Sequence, residues 1–344
     1  MRRREFIIIS GGTLWIRAQS LWADHHVVSG EPLIVTTELG PKPSRYTDTV
    51  DFYVRNHYAI PPSPSSPSLR IEGEVDKPQQ LTPEDLNPLK PREAGAVLEC
   101  AGNTASSVGL VSDGLWTGWP LGDLLALAKP KPTAAYVHLF GRDGYRRSVP
   151  LERAAHDGIL ATQLNGRPLP GKHGAPWRVI FPGYYGMDSV KWLERIVVAQ
   201  APLPPEGNAY LELKKDSAGG VEAQSLPRIQ VKSVITSLSD GAVVRRGNIE
   251  VRGLAWSGFG SVTSVQLSSD AGANWTDASL EAHGSSYDWT LWRASVNLQQ
   301  VGPVELVCRA VDAADNAQPA ERDPQRLDSY AYNVYNRVSC VVVP

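Results

Sequence analysis

Cysteine is scarce: Cys100, Cys308 and Cys340 are the only three in 344 residues. They are too few and too far apart for a disulfide framework or a CxxC zinc site, and an odd number leaves at least one thiol free. Charge of one sign is lacking as well. A formal net charge of −2 gives no basic field to neutralise a run of phosphates, which excludes nucleic-acid binding as the main role. After the N-terminus no apolar run reaches the ~18 residues that a membrane span needs, so none is expected in the mature chain. The common catalytic signatures are missing too. There is no GxxxxGK[ST], HExxH, GxSxG or helix-opening GxGxxG, and no CxxCH for a c-type haem.

What is present suits a globular protein: 42% hydrophobic and 20% charged residues, with 10 tryptophans that make disorder implausible. The length suggests two domains, each able to bury a core. The 30 glycines and 27 prolines favour short strands, turns and loops over long helices.

Residues 1–23 read as an address. Arg3-Arg4-Glu5-Phe6-Ile7 has the twin-arginine form, followed by a short apolar run that Gly11, Gly12 and Arg17 interrupt. Ala18-Gln19-Ser20 fits a small-x-small cleavage site, whereas Leu21-Trp22-Ala23 does not. The alternative is a basic tail with no export role. The export reading implies a periplasmic protein, and because that route carries folded chains, often around a cofactor, it directs attention to a cofactor site.

Residues 24–205 make the expected first domain. Its beginning, to residue 68, is extended and rich in proline (Pro61-Pro62-Ser63-Pro64). A strand is expected from residue 69, and a short helix after Thr82, where a capping threonine precedes Pro83. A buried strand ends at Cys100, an amphipathic helix spans 120–128, and further strands fall at 135–140 and 177–181. Residues 206–227, bounded by Pro204-Pro205 and carrying Gly207, Gly219 and Gly220, read as a linker. Residues 228–344 hold about seven short β runs with turn signals such as Ser239-Asp240-Gly241 and Asp270-Ala271-Gly272 between them, the pattern of an immunoglobulin-like β-sandwich. The expected class is α+β, a mixed α/β domain followed by a sandwich.

Chemistry-bearing residues gather in short segments of the first domain: Val54-Arg55-Asn56-His57, Leu98-Glu99-Cys100-Ala101-Gly102-Asn103, Trp116-Thr117-Gly118, Leu164-Asn165-Gly166-Arg167, His173-Gly174-Ala175-Pro176-Trp177-Arg178 and Gly186-Met187-Asp188-Ser189-Val190-Lys191-Trp192-Leu193. Singly each is weak. A cysteine ending a strand is more often a small buried hydrophobe, and a loop histidine more often a satisfied polar residue than a ligand. Together, Asn, His, Arg and Lys on glycine-rich loops would supply neutral donors for a heterocycle and cationic donors for a phosphate. One thiolate among them would suit a soft metal whose other ligands come from a cofactor.

This set, in its order and spacing, resembles the sulfite oxidase family of molybdenum enzymes. Residues 45–200 resemble its molybdopterin domain. Residues 228–344 are similar to its immunoglobulin-like dimerisation domain, through Gly253-Leu254-Ala255-Trp256, Ser268-Ser269-Asp270-Ala271-Gly272 with Trp275, and Arg309-Ala310-Val311-Asp312 with Asn316. The resemblance implies molybdenum with molybdopterin as cofactor and Cys100 as the metal-ligating thiolate. It implies that Asn56 and His57 hold the pterin, that His173, Arg178, Ser189 and Lys191 form the pterin and phosphate cradle, joined by Asp143, and that Arg55 lines an anion pocket. The activity implied is oxygen-atom transfer with sulfite or a related sulfur compound as substrate, in a homodimer. With no haem site in the chain, electrons would leave to a separate cytochrome.

Two departures matter. Thr104-Ala105-Ser106-Ser107 follows Asn103 where sulfite-oxidising members commonly have an arginine, and the segment from Cys100 to Trp116 is shorter than in those members. A dianion needs several charge-assisted donors, so a sulfane dehydrogenase or a reductase of sulfoxides or another oxo-substrate stays open. So does a non-enzymatic exported binding protein, and so does a monomer. Cys308 and Cys340, on β runs, are expected in the sandwich core.

Overall fold

The computed structural model describes residues 26–104, 109–204, 210–281 and 284–344. The expected signal segment and Ala105-Ser106-Ser107 lie outside them. Strands dominate, as the glycine and proline content requires, and the class is α+β.

Two five-stranded sheets carry the first domain. One runs Arg167–Pro168, Ile159–Leu164, Val111–Pro120, Arg92–Glu99, with Arg178–Ile180 also paired to Ile159–Leu164. The other runs Gln79–Leu81, Leu69–Gly73, Leu193–Ala199, Tyr136–Gly141, Arg146–Pro150. Only the pairing of Leu69–Gly73 with Leu193–Ala199 is parallel in this second sheet. A smaller sheet of His26–Gly30, Leu33–Thr36 and Val54–Arg55 lies within the segment read as extended. The short helix Pro83–Leu86 starts where its cap signals place it: Asp85 accepts from the Thr82 backbone N–H at 2.8 Å and from its hydroxyl at 2.9 Å. The helix Leu121–Ala128 buries Leu121, Leu124, Leu125 and Ala128 against the second sheet. The helix Leu151–Asp157 has no counterpart in the sequence reading; its seven residues bury only Ala154, too little for a visible apolar stripe.

The second domain is a two-sheet sandwich. Four strands (Lys232–Ile235, Gly247–Trp256, Thr290–Leu298, Ser279–Leu280) face five (Ala242–Arg245, Asn336–Val343, Gly302–Asp312, Val262–Ser268, Thr276–Asp277). Thr290–Leu298 alternates buried and exposed positions along its length, the period of a strand with one wet face. Cys308 and Cys340 are free thiols buried in the core with Val251, Trp292 and Leu306.

The stretch read as a linker is not one. Leu211–Lys215 and Val221–Ser225 pair as an antiparallel hairpin. Gly219 and Gly220 serve its tip, where the Asp216 carboxylate accepts the Ala218 and Gly220 amides at 2.8 Å. The hairpin is tied down by the buried Glu212, which pairs with Arg326 at 3.0 Å, and by Asp328, which accepts the Leu213 amide. Glycine supplied a turn here, not slack.

The two domains share a core. Val97, Ala101, Val111, Tyr185 and Met187 of the first pack with Leu254, Trp256, Trp289 and Ala331 of the second in one buried cluster. Backbone bonds cross the seam: Val97 N–H to Tyr287 O at 2.8 Å, Ile229 N–H to Gly183 O at 2.9 Å and Ala331 N–H to Ala101 O at 2.9 Å. The buried Asp113 carboxylate accepts the Trp289 amide at 2.9 Å.

Gly253 tests the sandwich. A Cβ there would lie 2.1 Å from the Val234 carbonyl oxygen and 2.3 Å from the Trp292 ring. Gly253→Ala is expected to cost about 2 kcal/mol, in the range of overpacked cores, read as a lower urea midpoint at unchanged m-value. An unchanged midpoint would refute this packing.

Candidate active site

All nine residues singled out from the sequence line one cavity of about 660 Å³, counting its open mouth. Arg55 ends the strand Val54–Arg55, and Asn56 and His57 follow it. Cys100 comes directly after the strand Arg92–Glu99, with its N–H bonded to Leu110 O and its carbonyl accepting Asn103 N–H, both at 2.9 Å. Asp143 occupies the turn after Tyr136–Gly141, and its carboxylate accepts the Tyr145 amide at 3.0 Å. His173 closes the turn Gly171–His173, Arg178 opens the strand Arg178–Ile180, and Ser189 and Lys191 lie in the loop leading to Leu193–Ala199. Gly174 brings two of these together. At φ +106° it lies where a Cβ would press on Lys191 at 3.0 Å and on Arg178 at 3.1 Å, so glycine is what lets the loop close over both cations.

The lining carries three cationic side chains, Arg55, Arg178 and Lys191, against a single carboxyl group, Asp143. Arg178 gives hydrogen bonds to the His173 and Ser189 carbonyls at 3.1 and 2.9 Å. Lys191 donates to the Asn56 side-chain oxygen, and Arg55 to the Asn56 carbonyl. Burial pushes Arg178 down to about 10 and Lys191 well below its ordinary value. Burial, reinforced by the neighbouring cations, also lowers His57 to about 4 and His173 to about 2, so both imidazoles are neutral at neutral pH. His173 faces the Thr49 carbonyl at 3.3 Å. Two donors in this wall have no partner among the described residues: Asn56 Nδ2 and Arg178 Nε, both buried. A buried unsatisfied donor costs about 1–3 kcal/mol, and here two of them accompany a surplus of buried positive charge.

These residues fit molybdopterin. Orphaned amide and guanidinium donors suit a polar heterocycle, and clustered Arg and Lys suit a phosphate. Cys100 lines the same space and offers one soft ligand, so a metal held there takes its remaining ligands from the bound group.

Tyr53, Tyr145, Met187 and Tyr210 share the cavity, and none was singled out from the sequence. Tyr145 stacks on His57 with ring centroids 4.8 Å apart. The Tyr210 hydroxyl lies 2.6 Å from His57 Nε2. Burial raises the pKa of all three tyrosines, so they stay protonated. Tyr53 and Tyr145 could have been suspected from their nearness to Arg55 and Asp143. Tyr210, in the supposed linker, carried no signal.

The loop that carries Cys100 is clamped from the second domain. Glu99 is 2% exposed. Its carboxylate accepts from Lys232 Nζ at 2.8 Å, Asn103 Nδ2 at 2.9 Å and Trp256 Nε1 at 2.9 Å. Lys232 also donates to the Asn103 carbonyl at 3.2 Å. The Glu99 carbonyl accepts the Gly186 amide at 2.7 Å, beside Met187 in the cavity wall.

Residues 57–206 match the model of the oxidoreductase molybdopterin-binding domain, and residues 223–342 that of the Mo-co oxidoreductase dimerisation domain. The chain is 33% identical over 306 residues to sulfite oxidase of Gallus gallus, spanning 78% of this chain and 67% of that protein. It is 31% identical over 334 residues to sulfite oxidase of Arabidopsis thaliana, spanning 80% of this chain and 83% of that one. Of the mitochondrial sulfite oxidase of Mus musculus it spans 61%. In structure it is similar to the sulfane dehydrogenase SoxCD from Paracoccus pantotrophus, with a TM-score of 0.83 and 26% identity over 96% of this chain and 92% of that chain. With these matches over both domains and a cavity that fits the cofactor, the chain belongs to the sulfite oxidase family of molybdopterin-dependent oxidoreductases.

Proposed function

We propose that this protein is a periplasmic molybdenum enzyme that oxidises sulfite or a related sulfur compound by oxygen-atom transfer and passes the electrons to a separate cytochrome. One observation carries the reading: the Cys100 thiol lines a cationic cavity in which Asn56 Nδ2 and Arg178 Nε, both buried, lack partners. The names of the relatives, sulfite oxidase and sulfane dehydrogenase, supply the substrate class. The twin-arginine form of Arg3-Arg4-Glu5-Phe6-Ile7 supports export, and the dimerisation-domain match supports a homodimer.

Molybdenum with molybdopterin supplies the two-electron chemistry when bound. The chain supplies the rest. Cys100 would ligate the metal, Asn56, His57, Asp143 and His173 would hold the pterin, and Arg178, Ser189 and Lys191 its phosphate. Arg55 attracts an oxyanion into the cavity. Tyr210 and neutral His57, 2.6 Å apart, form a hydroxyl–imidazole pair that holds one proton between oxygen and Nε2. The aromatic rings of Tyr53 and Tyr145 exclude water and strengthen each of these polar contacts.

A second reading, a less charged sulfur or oxo-substrate turned over in either direction, draws on Thr104-Ala105-Ser106-Ser107, which follow Asn103 in the stretch where sulfite-oxidising members commonly have an arginine, and on the Tyr145, Met187 and Tyr210 lining.

Protein made in a cofactor-producing host is expected to hold about one molybdenum per chain, as one Cys-ligated site requires, and to be reduced by sulfite or by a sulfane compound. Cys100→Ser is expected to abolish that reduction, and Arg178→Met to lower molybdenum content severalfold as charge-assisted hydrogen bonds worth about 1.5–3 kcal/mol each are lost. A wild-type protein free of molybdenum by elemental analysis would defeat the proposal.

The depressed His57 gives a pH test on the cofactor-free chain. Unfolded histidine takes a proton below about pH 6.5, whereas folded His57 resists until about 4. Unfolding therefore takes up a proton in that window, and stability is full above it and falls on acidification through it. Urea midpoints at pH 7 and pH 5 should drop less for His57→Gln than for the wild type; equal drops would contradict a depressed His57.

A further inference from the structure

The second domain reaches the metal-binding loop with one charged side chain, and that side chain is buried. Lys232 and Glu99 are 4% and 2% exposed, and their ion pair at 2.8 Å joins the second strand system to the residue before Cys100. The side-chain groups that meet the Glu99 carboxylate come from the same short loop or from the second domain. Asn103 gives Nδ2 to Glu99 and its carbonyl to Lys232, while its Oδ1 accepts the Leu110 amide at 3.2 Å. Trp256 Nε1 holds the other carboxylate oxygen at 2.9 Å. Ala331 N–H takes the Ala101 carbonyl at 2.9 Å. The loop from 99 to 103 is thus held on both sides of Cys100 by groups of the second domain, in addition to its bonds to Leu110 and Gly186 of the first.

A buried ion pair contributes little net stability, because desolvation offsets the attraction, yet removal of one partner leaves a naked charge in the interior. Here the naked charge would be a carboxylate on the residue adjoining the metal-ligating sulfur. We propose that Lys232 is a positioning residue for the metal centre, cancelling the charge of Glu99 and, with Trp256, setting the place of the Cys100 loop. The proposal rests on the molybdenum reading, but its geometry stands apart from it. Lys232 does not line the cavity.

The test is a cycle of Lys232→Met, Glu99→Gln and the double variant, with Trp256→Phe as a milder change that removes one donor from Glu99 and keeps the ring. Val251→Ala, in the sandwich core far from the pair in sequence, serves as a stability control. In cofactor-free protein, alkylation of Cys100 by iodoacetamide is followed by mass spectrometry, which separates it from the buried Cys308 and Cys340. Lys232→Met should react roughly tenfold faster, the factor that losing one charge-assisted bond to the loop gives, and Trp256→Phe should change in the same direction. In loaded protein, Lys232→Met should shift the molybdenum reduction potential to more negative values, and Glu99→Gln/Lys232→Met should bring it back.

Alkylation rates that only track the stability loss of Val251→Ala would overturn the proposal, as would an unshifted potential in a loaded Lys232→Met protein. Should Lys232→Met not fold, Trp256→Phe decides by the same two readouts. If the wild type carries no molybdenum while the alkylation rates still separate, the clamp stands and the cofactor reading fails.

Discussion

The carboxylate of Glu99 is the constraint around which the rest is arranged. A charge buried this deeply carries a penalty of several kcal/mol unless it is met by donors in good geometry, and the first domain alone supplies only Asn103. The remaining two, Lys232 and Trp256, come from the sandwich. Satisfying one acid therefore requires the two domains to dock in one orientation, with the strand Lys232–Ile235 set against the end of Arg92–Glu99. The shared apolar core around Val97, Tyr185, Trp256 and Trp289 supplies the stabilisation; the ion pair supplies the register.

The cavity shows the opposite policy. Its cations are left without carboxylate partners on the lining except Asp143; of its neutral histidines, His173 faces the Thr49 carbonyl and His57 the Tyr210 hydroxyl, and the Asn56 side chain is held by Lys191. Such a wall is unfavourable when empty of counter-charge. Burial is the largest cause of the lowered values of Arg178, Lys191 and His173, and for Lys191 and His173 the neighbouring cations add to it. A phosphate-bearing ligand relieves the strain on each at once, and stabilises the fold by mass action in doing so.

Legibility in the sequence follows from how local each determinant is. The helix after Thr82 was readable because its cap, its proline and its acid lie within four positions. The sandwich was readable from period-two alternation, and the site from short loops in which glycine and charge are adjacent, as in His173-Gly174. Tyr210, Lys232 and Trp256 were not, since each acts through a partner more than a hundred residues away: His57, Glu99 and Glu99 again. The supposed linker failed for a related reason. Proline and glycine mark turns, but whether the chain between them pairs into a hairpin depends on Arg326 and Asp328, which lie a third of the molecule further on.

The bond from Ala331 to the Ala101 carbonyl has a consequence in time. A ribosome makes the cysteine loop about 230 residues before Ala331, so until Ala331 is made the loop lacks that backbone partner. The loop is not fully held until that residue has been made. Loss of the chain from that residue onward acts on the cysteine loop although it removes nothing from the domain that contains it.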